Sequence, residues 1–148
     1  MMPSKIVDMK ILVTGGAGFI GSHLVETLLA QGNEVIVLDN FSPYYTGKEK
    51  NIQACSENKN FELIKDSILD LEKLDEARQE VDALIHLAAQ PGVRYSISHP
   101  VEVVKINVEG TLNVLEVCRR QDIKRLVFGS SSSIYGNAPL PLQEDQPG

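Results

Sequence analysis

The chain has few of the residues that mark secreted, metal-binding or membrane proteins. Its two cysteines, Cys55 and Cys118, are too few for a disulfide framework and lack the spacing of metal ligands. No apolar run approaches the length of a membrane helix. The N-terminus has neither the long apolar segment nor the small-residue cleavage site of a secretion signal. We therefore expect a protein of the reducing cytoplasm that holds no metal.

Positive charge is also in short supply. The 148 residues include 14 Lys and Arg against 20 Asp and Glu, a net charge of -6. This balance argues against nucleic acid or an anionic membrane as the main partner. The length suits one domain with a real core, which we assign to residues 9–148 after a disordered leader at residues 1–8.

Short apolar runs alternate with helical patterns along the chain. Strands are expected at 10–14, 34–39, 61–65, 83–87 and 125–128, and helices at 18–31, 48–55, 71–80 and 100–121. Short, uninterrupted apolar runs are typical of parallel strands buried on both faces. The alternation therefore predicts an α/β fold, a Rossmann-type doubly wound parallel sheet of five strands.

A glycine-rich turn follows the first expected strand in the segment KILVTGGAGFIGSHL, residues 10–24. Gly15 permits the sharp reversal after the strand, Gly18 removes a Cβ between the helix start and a pyrophosphate, and Gly21 allows close helix packing. Free N–H groups at the helix start would bind the anion. The turn predicts a dinucleotide site, with an ordinary strand-to-helix turn as the alternative.

Polar residues follow the other strands. Asp39 lies 18 positions after Gly21, where a carboxylate accepts hydrogen bonds from an adenosine ribose and repels a 2′-phosphate, so NAD is favoured over NADP; the alternative is a solvated loop aspartate. Asp66 is expected near adenine, unless Asp66 or Ser67 caps a helix. We interpret His86 as a buried strand-end residue, followed by small residues that let the backbone approach a cofactor.

Four serines, residues 130–133, end the fifth expected strand. A hydroxyl at this edge of the sheet can bind a substrate alcohol and help to move its proton, although serine-rich turns are common. The expected helix 100–121 carries two apolar stripes on nearly opposite sides. Either a neighbouring helix of the chain or a partner subunit must cover the second stripe.

Four segments together resemble the extended short-chain dehydrogenase/reductases, and more narrowly the nucleotide-sugar epimerases and dehydratases: VTGGAGFIGSHLVETLLAQGNEVIVLDN, HLAAQPGVRYSISHP, NVEGTLNVLE and FGSSSSIYGN. The second segment is most similar to UDP-glucuronate 4-epimerases, with UDP-glucose 4-epimerases close behind. The resemblance implies NAD as cofactor, a UDP-sugar substrate, and a homodimer formed through helix 100–121.

The resemblance also implies roles for individual residues. The cofactor-binding residues would be Gly15, Gly18, Phe19, Ile20 and Gly21 at the pyrophosphate, Asp39 and Asn40 at the ribose, Asp66 and Ser67 at adenine, Leu87, Ala88, Ala89 and Gln90 along the cofactor, and Asn107 in support. Ser131 would be the catalytic serine, and Ser131, Ser132 and Ser133 would contact substrate. The dehydratases carry Asp and Glu at the last two positions, so their replacement by serine favours an epimerase or a decarboxylase.

The family's catalytic base, a tyrosine with a lysine four residues later, is not found in the expected place. Tyr44 and Lys48 have the spacing but follow the second strand, and Tyr135 has a proline four residues later. We therefore interpret the chain as the NAD-binding, N-terminal part of an NDP-sugar 4-epimerase, without the later strands and the substrate domain, able to bind NAD but not to turn over. The alternatives are a UDP-glucuronate decarboxylase or another NDP-sugar dehydratase, and a non-catalytic NAD(P)-sensing module.

Overall fold

Five parallel strands form a single sheet in the computed structural model, which describes residues 8–77 and 80–146. The expected leader, residues 1–8, lies outside the described residues except for Asp8. The sheet has the order β3-β2-β1-β4-β5, so successive strands are added on one side of β1 up to β3 and on its other side from β4 onward. The strands are β1 Lys10–Thr14, β2 Glu34–Leu38, β3 Phe61–Ile64, β4 Ala83–His86 and β5 Leu126–Phe128. The predicted doubly wound α/β fold is confirmed.

Six α-helices connect or follow these strands in the described residues. They are α1 Phe19–Ala30, α2 Lys48–Ile52, α3 Leu71–Ala77, α4 Val93–Ser98, α5 Pro100–Val104 and α6 Thr111–Arg120. A 3₁₀ turn, Gln53–Cys55, extends α2, and another, Ser132–Tyr135, follows β5. A π-helical turn, Lys105–Gly110, joins α5 to α6, so the expected helix 100–121 is one rod with a local change of winding.

Most differences from the predicted elements lie at their ends. Strands β2 to β5 are each one residue shorter than expected, and the predicted helix 71–80 is helical over Leu71–Ala77, with residues 78–79 outside the described part. Helix α4 was not predicted at all. It begins after Gly92, whose φ of 107° suits glycine, and its six residues are fewer than two turns, too few to establish a helical period.

The core lies on both faces of the sheet because neighbouring side chains of each strand point to opposite sides. Leu12 of β1 packs with Leu84, Val114 and Val117 under α3 and α6. Val13 belongs to the other cluster, which α1 covers. Strands buried on both faces explain why the apolar runs are uninterrupted.

The two apolar stripes of the long helix have different environments. The stripe with Val103, Ile106, Gly110, Val114 and Val117 is buried or half-buried against the core. The other stripe stays exposed, by 80 % at Val101, 58 % at Val104 and 62 % at Val108 and Leu112. The core therefore buries one stripe, and among the described residues no neighbouring helix covers the other.

Candidate dinucleotide site

A cavity lies at the carboxyl ends of β1, β2, β3 and β4, where open α/β sheets bind their ligands. Its volume is about 690 Å³. Its wall contains most of the predicted cofactor residues: Gly15, Gly18, Phe19, Ile20, Gly21, Asp39, Asn40, Asp66, Ser67, Leu87, Ala88, Ala89 and Gln90. The fold thus brings together four loops that are distant in sequence. We call this space the central cavity.

The glycine turn forms the floor of the central cavity. Gly15 has φ of 73°, and its N–H donates to the Leu38 carbonyl at 2.8 Å, which ties the turn to β2. A Cβ on Gly15 would lie 2.6 Å from the Ala88 nitrogen. A Cβ on Gly21 would lie 2.4 Å from the Gly15 carbonyl oxygen, so this glycine permits close packing of the helix on the turn itself, rather than on the strand. These positions therefore require glycine sterically.

The start of α1 presents free backbone donors to the same space. Gly18 is the N-cap residue and no side chain caps the helix there. The first N–H groups of a helix have no partner within it and carry the positive end of its dipole. A phosphate can therefore approach the backbone of Phe19, Ile20 and Gly21 without meeting a competing side chain.

Asp39 is a buried anion in the cavity wall, only 4 % exposed, so the alternative of a solvated loop aspartate is wrong. One carboxylate oxygen accepts from the Ala17 N–H at 3.1 Å, and the other accepts from the Phe41 N–H at 2.9 Å and from Lys48 Nζ at 2.8 Å. Asn51 donates to the Ala17 carbonyl at 3.0 Å. Helix α2 thereby supports both the carboxylate and the glycine turn.

Asp66 and Ser67 do not cap helix α3. The Asp66 carboxylate accepts from the Ser67 N–H at 2.7 Å, and the Ser67 hydroxyl accepts from the Leu69 N–H at 3.2 Å. The N-capping bond comes from Asp70, whose side chain accepts from the Lys73 N–H at 3.0 Å. The capping alternative is therefore wrong for Asp66 and Ser67, which shape a loop at the cavity wall.

His86 is buried at the end of β4, as predicted, and links three elements. Its Nδ1 lies 2.6 Å from the Thr14 hydroxyl, and its Nε2 lies 3.0 Å from the Thr111 hydroxyl. The Thr111 hydroxyl donates its one hydrogen to the Asn107 carbonyl at 2.8 Å, so it must accept from an Nε2–H group. Burial lowers the pKa of His86, which favours this neutral imidazole at neutral pH.

Asn107 holds the segment that follows β4. Its side-chain oxygen accepts from the Gln90 N–H at 2.7 Å, and its amide group donates to the Gln90 carbonyl at 3.0 Å. The residue lies within the π-helical turn, a form of winding that is frequent at functional sites. Asn107 does not line the central cavity. It supports the cavity indirectly, because it fixes the backbone of Gln90, which is one of the wall residues.

The serine segment lies at the rim. Gly129 and Ser130 line the central cavity, whereas Ser131, Ser132 and Ser133 are exposed outside it. The Ser131 hydroxyl accepts from the Ser133 N–H at 3.2 Å and begins a 3₁₀ turn. The Ser131 hydroxyl also donates to the Ser133 hydroxyl at 3.1 Å. All three side chains are exposed at the rim, where a ligand that extends beyond the cavity could reach them.

Comparison with known proteins places the chain in a family. The model of the NAD-dependent epimerase/dehydratase family matches residues 11–147. The chain belongs to this family. A putative UDP-glucose 4-epimerase of Methanocaldococcus jannaschii is 46% identical over 139 residues, which are 93% of this chain and 43% of that protein. UDP-glucuronic acid decarboxylase 4 of Arabidopsis thaliana is 41% identical over 138 residues, or 93% of this chain and 28% of that protein.

A solved epimerase structure agrees with these relatives. The UDP-glucose 4-epimerase of Thermus thermophilus, solved in complex with NAD, has a TM-score of 0.80 and 42% sequence identity. It matches 94% of this chain and 44% of its own. The chain therefore spans less than half the length of these epimerase/dehydratase relatives. None of the helices described in residues 8–77 and 80–146 is long and apolar enough to cross a membrane.

The sequence alone missed several wall residues of this family member. Lys48 and Asn51 both come from α2, and their spacing of three residues on one helix face is the signal that could have found them. Lys48 pairs with Asp39, while Tyr44 packs edge-on against Tyr95 with ring centroids 4.9 Å apart. Tyr44 and Lys48, which have the spacing of the family's catalytic pair, therefore contact different residues.

Proposed function

We propose that this chain is the NAD-binding part of an NDP-sugar 4-epimerase of the UDP-glucuronate or UDP-glucose type. One observation carries the proposal: the central cavity joins a glycine floor that no Cβ could enter to a buried carboxylate, within about 690 Å³. A dinucleotide needs both features, one for its pyrophosphate and one for its adenosine ribose.

Different residues would bind different parts of the dinucleotide. The N–H groups at the start of α1 would hold the pyrophosphate, Asp39 and Asn40 the ribose, and Asp66 and Ser67 the adenine. Leu87 to Gln90, fixed by Asn107, would form the wall along the cofactor. When bound, NAD supplies a reversible hydride acceptor for C4 of the sugar. Ser131 would hydrogen-bond the C4 oxygen, while Ser132 and Ser133 would contact the sugar.

UDP-glucuronate decarboxylation is the second candidate, because the Arabidopsis decarboxylase matches 93% of this chain. Both reactions begin with oxidation at C4, so the cofactor half is compatible with either. The serine pair Ser132 and Ser133, in place of the acidic pair of the dehydratases, favours both over water elimination.

Calorimetric titration of the chain with NAD is the direct test of the binding site. We expect saturable binding of one NAD per chain, and none by a Gly18→Asp variant, because a carboxylate at the helix start would repel the pyrophosphate. A chain that is folded by circular dichroism but binds no NAD would refute the proposal. Lys50→Met, on the exposed surface, shifts the net charge by the same one unit and is the control for that shift.

Turnover requires a separate experiment. We propose that the 148-residue chain alone does not turn over, so UDP-glucuronate and UDP-glucose should emerge unchanged from incubation with it. Incubation of the uninterrupted gene product with each sugar, followed by proton NMR, distinguishes a 4-epimer from a pentose formed with loss of CO₂. A stop codon directly after residue 148 in the natural gene would instead favour the NAD(P)-sensing module.

Two further parts of the proposal concern the surroundings of the protein. The exposed stripe of Val101, Val104, Val108, Leu112 and Leu115 is a candidate homodimer surface, since contiguous apolar patches mark sites of association. A cytoplasmic location is supported by Cys55 and Cys118, which are both free and buried.

A further inference from the structure

The carboxylate of Asp39 is almost fully engaged before any ligand binds. Two backbone N–H groups and the Lys48 ammonium group occupy three of its roughly four acceptor positions. The position left open is on the oxygen that faces Ala17. An unpaired carboxylate could accept from both hydroxyl groups of a ribose, whereas this one has room for fewer donors.

Lys48 is a largely buried cation in the same wall. Its side chain is 15% exposed and that of Asp39 is 3% exposed, so water screens the pair weakly. Asp66 is the only other charged residue that lines the cavity among the described residues. The ribose end of the cavity therefore has a local charge near zero instead of the negative charge that Asp39 alone would give.

We propose that Lys48 determines cofactor specificity, because its ammonium group neutralises Asp39 and offers a donor to a 2′-phosphate. The central cavity would then accept NADP as well as NAD, with a much smaller preference than an unpaired Asp39 would impose. The inference rests on the proposed function, since it assumes that Asp39 holds the adenosine ribose. It goes beyond that function because it concerns the choice between NAD and NADP, which the sequence assigned to the charge of Asp39 alone.

The charge of Lys48 should act on the two cofactors differently. NAD has neutral hydroxyl groups at the ribose, so loss of the ammonium group costs it little. NADP adds a phosphate, which without Lys48 faces a carboxylate at close range in a weakly screened site. We expect Lys48→Met to raise the ratio of the NADP to the NAD dissociation constant about tenfold or more.

The experiment is a calorimetric titration of the 148-residue chain with NAD and, separately, with NADP. Lys48→Met removes the charge, Lys48→Gln removes it but keeps a donor for Asp39, and Lys48→Arg retains it. Lys50→Met is the matched control, because Lys50 lies on the same helix, is exposed and does not line the cavity. If Lys48→Met does not fold, Lys48→Gln provides the same comparison.

The inference is supported if the wild type binds both dinucleotides and the ratio rises in Lys48→Met and Lys48→Gln but not in Lys48→Arg or Lys50→Met. It is overturned if the wild type binds NAD but not NADP, or if Lys48→Met and Lys48→Gln weaken both cofactors equally or change neither. It is also overturned if Lys50→Met raises the ratio as much. A folded wild type that binds neither cofactor refutes the proposed function, and the inference with it.

Discussion

Replacement of Gly15 by alanine tests the steric basis of the dinucleotide site. At φ of 73° an L residue is strained by about 1–2 kcal/mol. The new methyl group would also lie 2.6 Å from the Ala88 nitrogen and 2.8 Å from the Leu87 carbonyl carbon, both backbone atoms that cannot rotate away. Overpacking of this kind costs about 1–3 kcal/mol. We expect Gly15→Ala to lose about 2–5 kcal/mol of stability and to displace the wall that follows β4.

Gly32 provides the matched control for this prediction. Its φ is 90°, yet a Cβ there would have no atom within 4 Å, so Gly32→Ala carries the conformational strain without the clash. Urea unfolding should give a loss of about 1–2 kcal/mol for Gly32→Ala, and calorimetry should show unchanged NAD affinity. Equal losses of stability in the two variants, or wild-type NAD affinity in Gly15→Ala, would refute the steric argument.

Three other predictions concern the network, its pH dependence and the exposed stripe. Asn107→Leu leaves the Gln90 N–H and carbonyl unpaired, so urea unfolding should show a loss of about 1–3 kcal/mol, and an unchanged midpoint would contradict the assigned bonds. Burial lowers the pKa of His86 below its usual 6.5. Below that pH the unfolded state binds more protons than the folded state, so stability falls as the pH drops. His86→Gln should reduce this fall, measured as urea midpoints at several pH values. Val104→Asp should abolish self-association in sedimentation velocity at high concentration, whereas a wild type that stays monomeric would count against the stripe as an interface.

The fold could be predicted from the sequence because each strand has its own uninterrupted apolar run. A run such as Ile11 to Val13 is explained only by burial on both faces, and helical patterns between the runs require parallel strands. The glycine turn was predictable for a similar reason, since Gly15 has a φ of 73° and Gly21 meets the backbone of Gly15 and Gly16 in the same turn. These features depend on local sequence.

The features that the sequence did not predict depend on contacts between distant residues. The π-helical turn places Asn107 opposite Gln90, which is 17 positions away, and helical periodicity gives no sign of one additional residue in a turn. Helix α4 has only six residues, too few to establish a helical period. The bonds that His86 makes to Thr14 and Thr111 join residues 72 and 25 positions apart.

Asp39 shows why the chemistry of a site cannot be taken from one residue type. From sequence, an acidic residue after the second strand means a negative ribose site, and a negative site means discrimination against a 2′-phosphate. In the folded chain Lys48 lies 2.8 Å from that carboxylate and is itself largely buried, so the site that a ligand meets is an ion pair. Discrimination then depends on the net field of the pair and on the acceptor positions left open, both of which are set by how α2 docks beside the glycine turn. We therefore infer that Lys48, nine positions along the chain, sets what Asp39 can select.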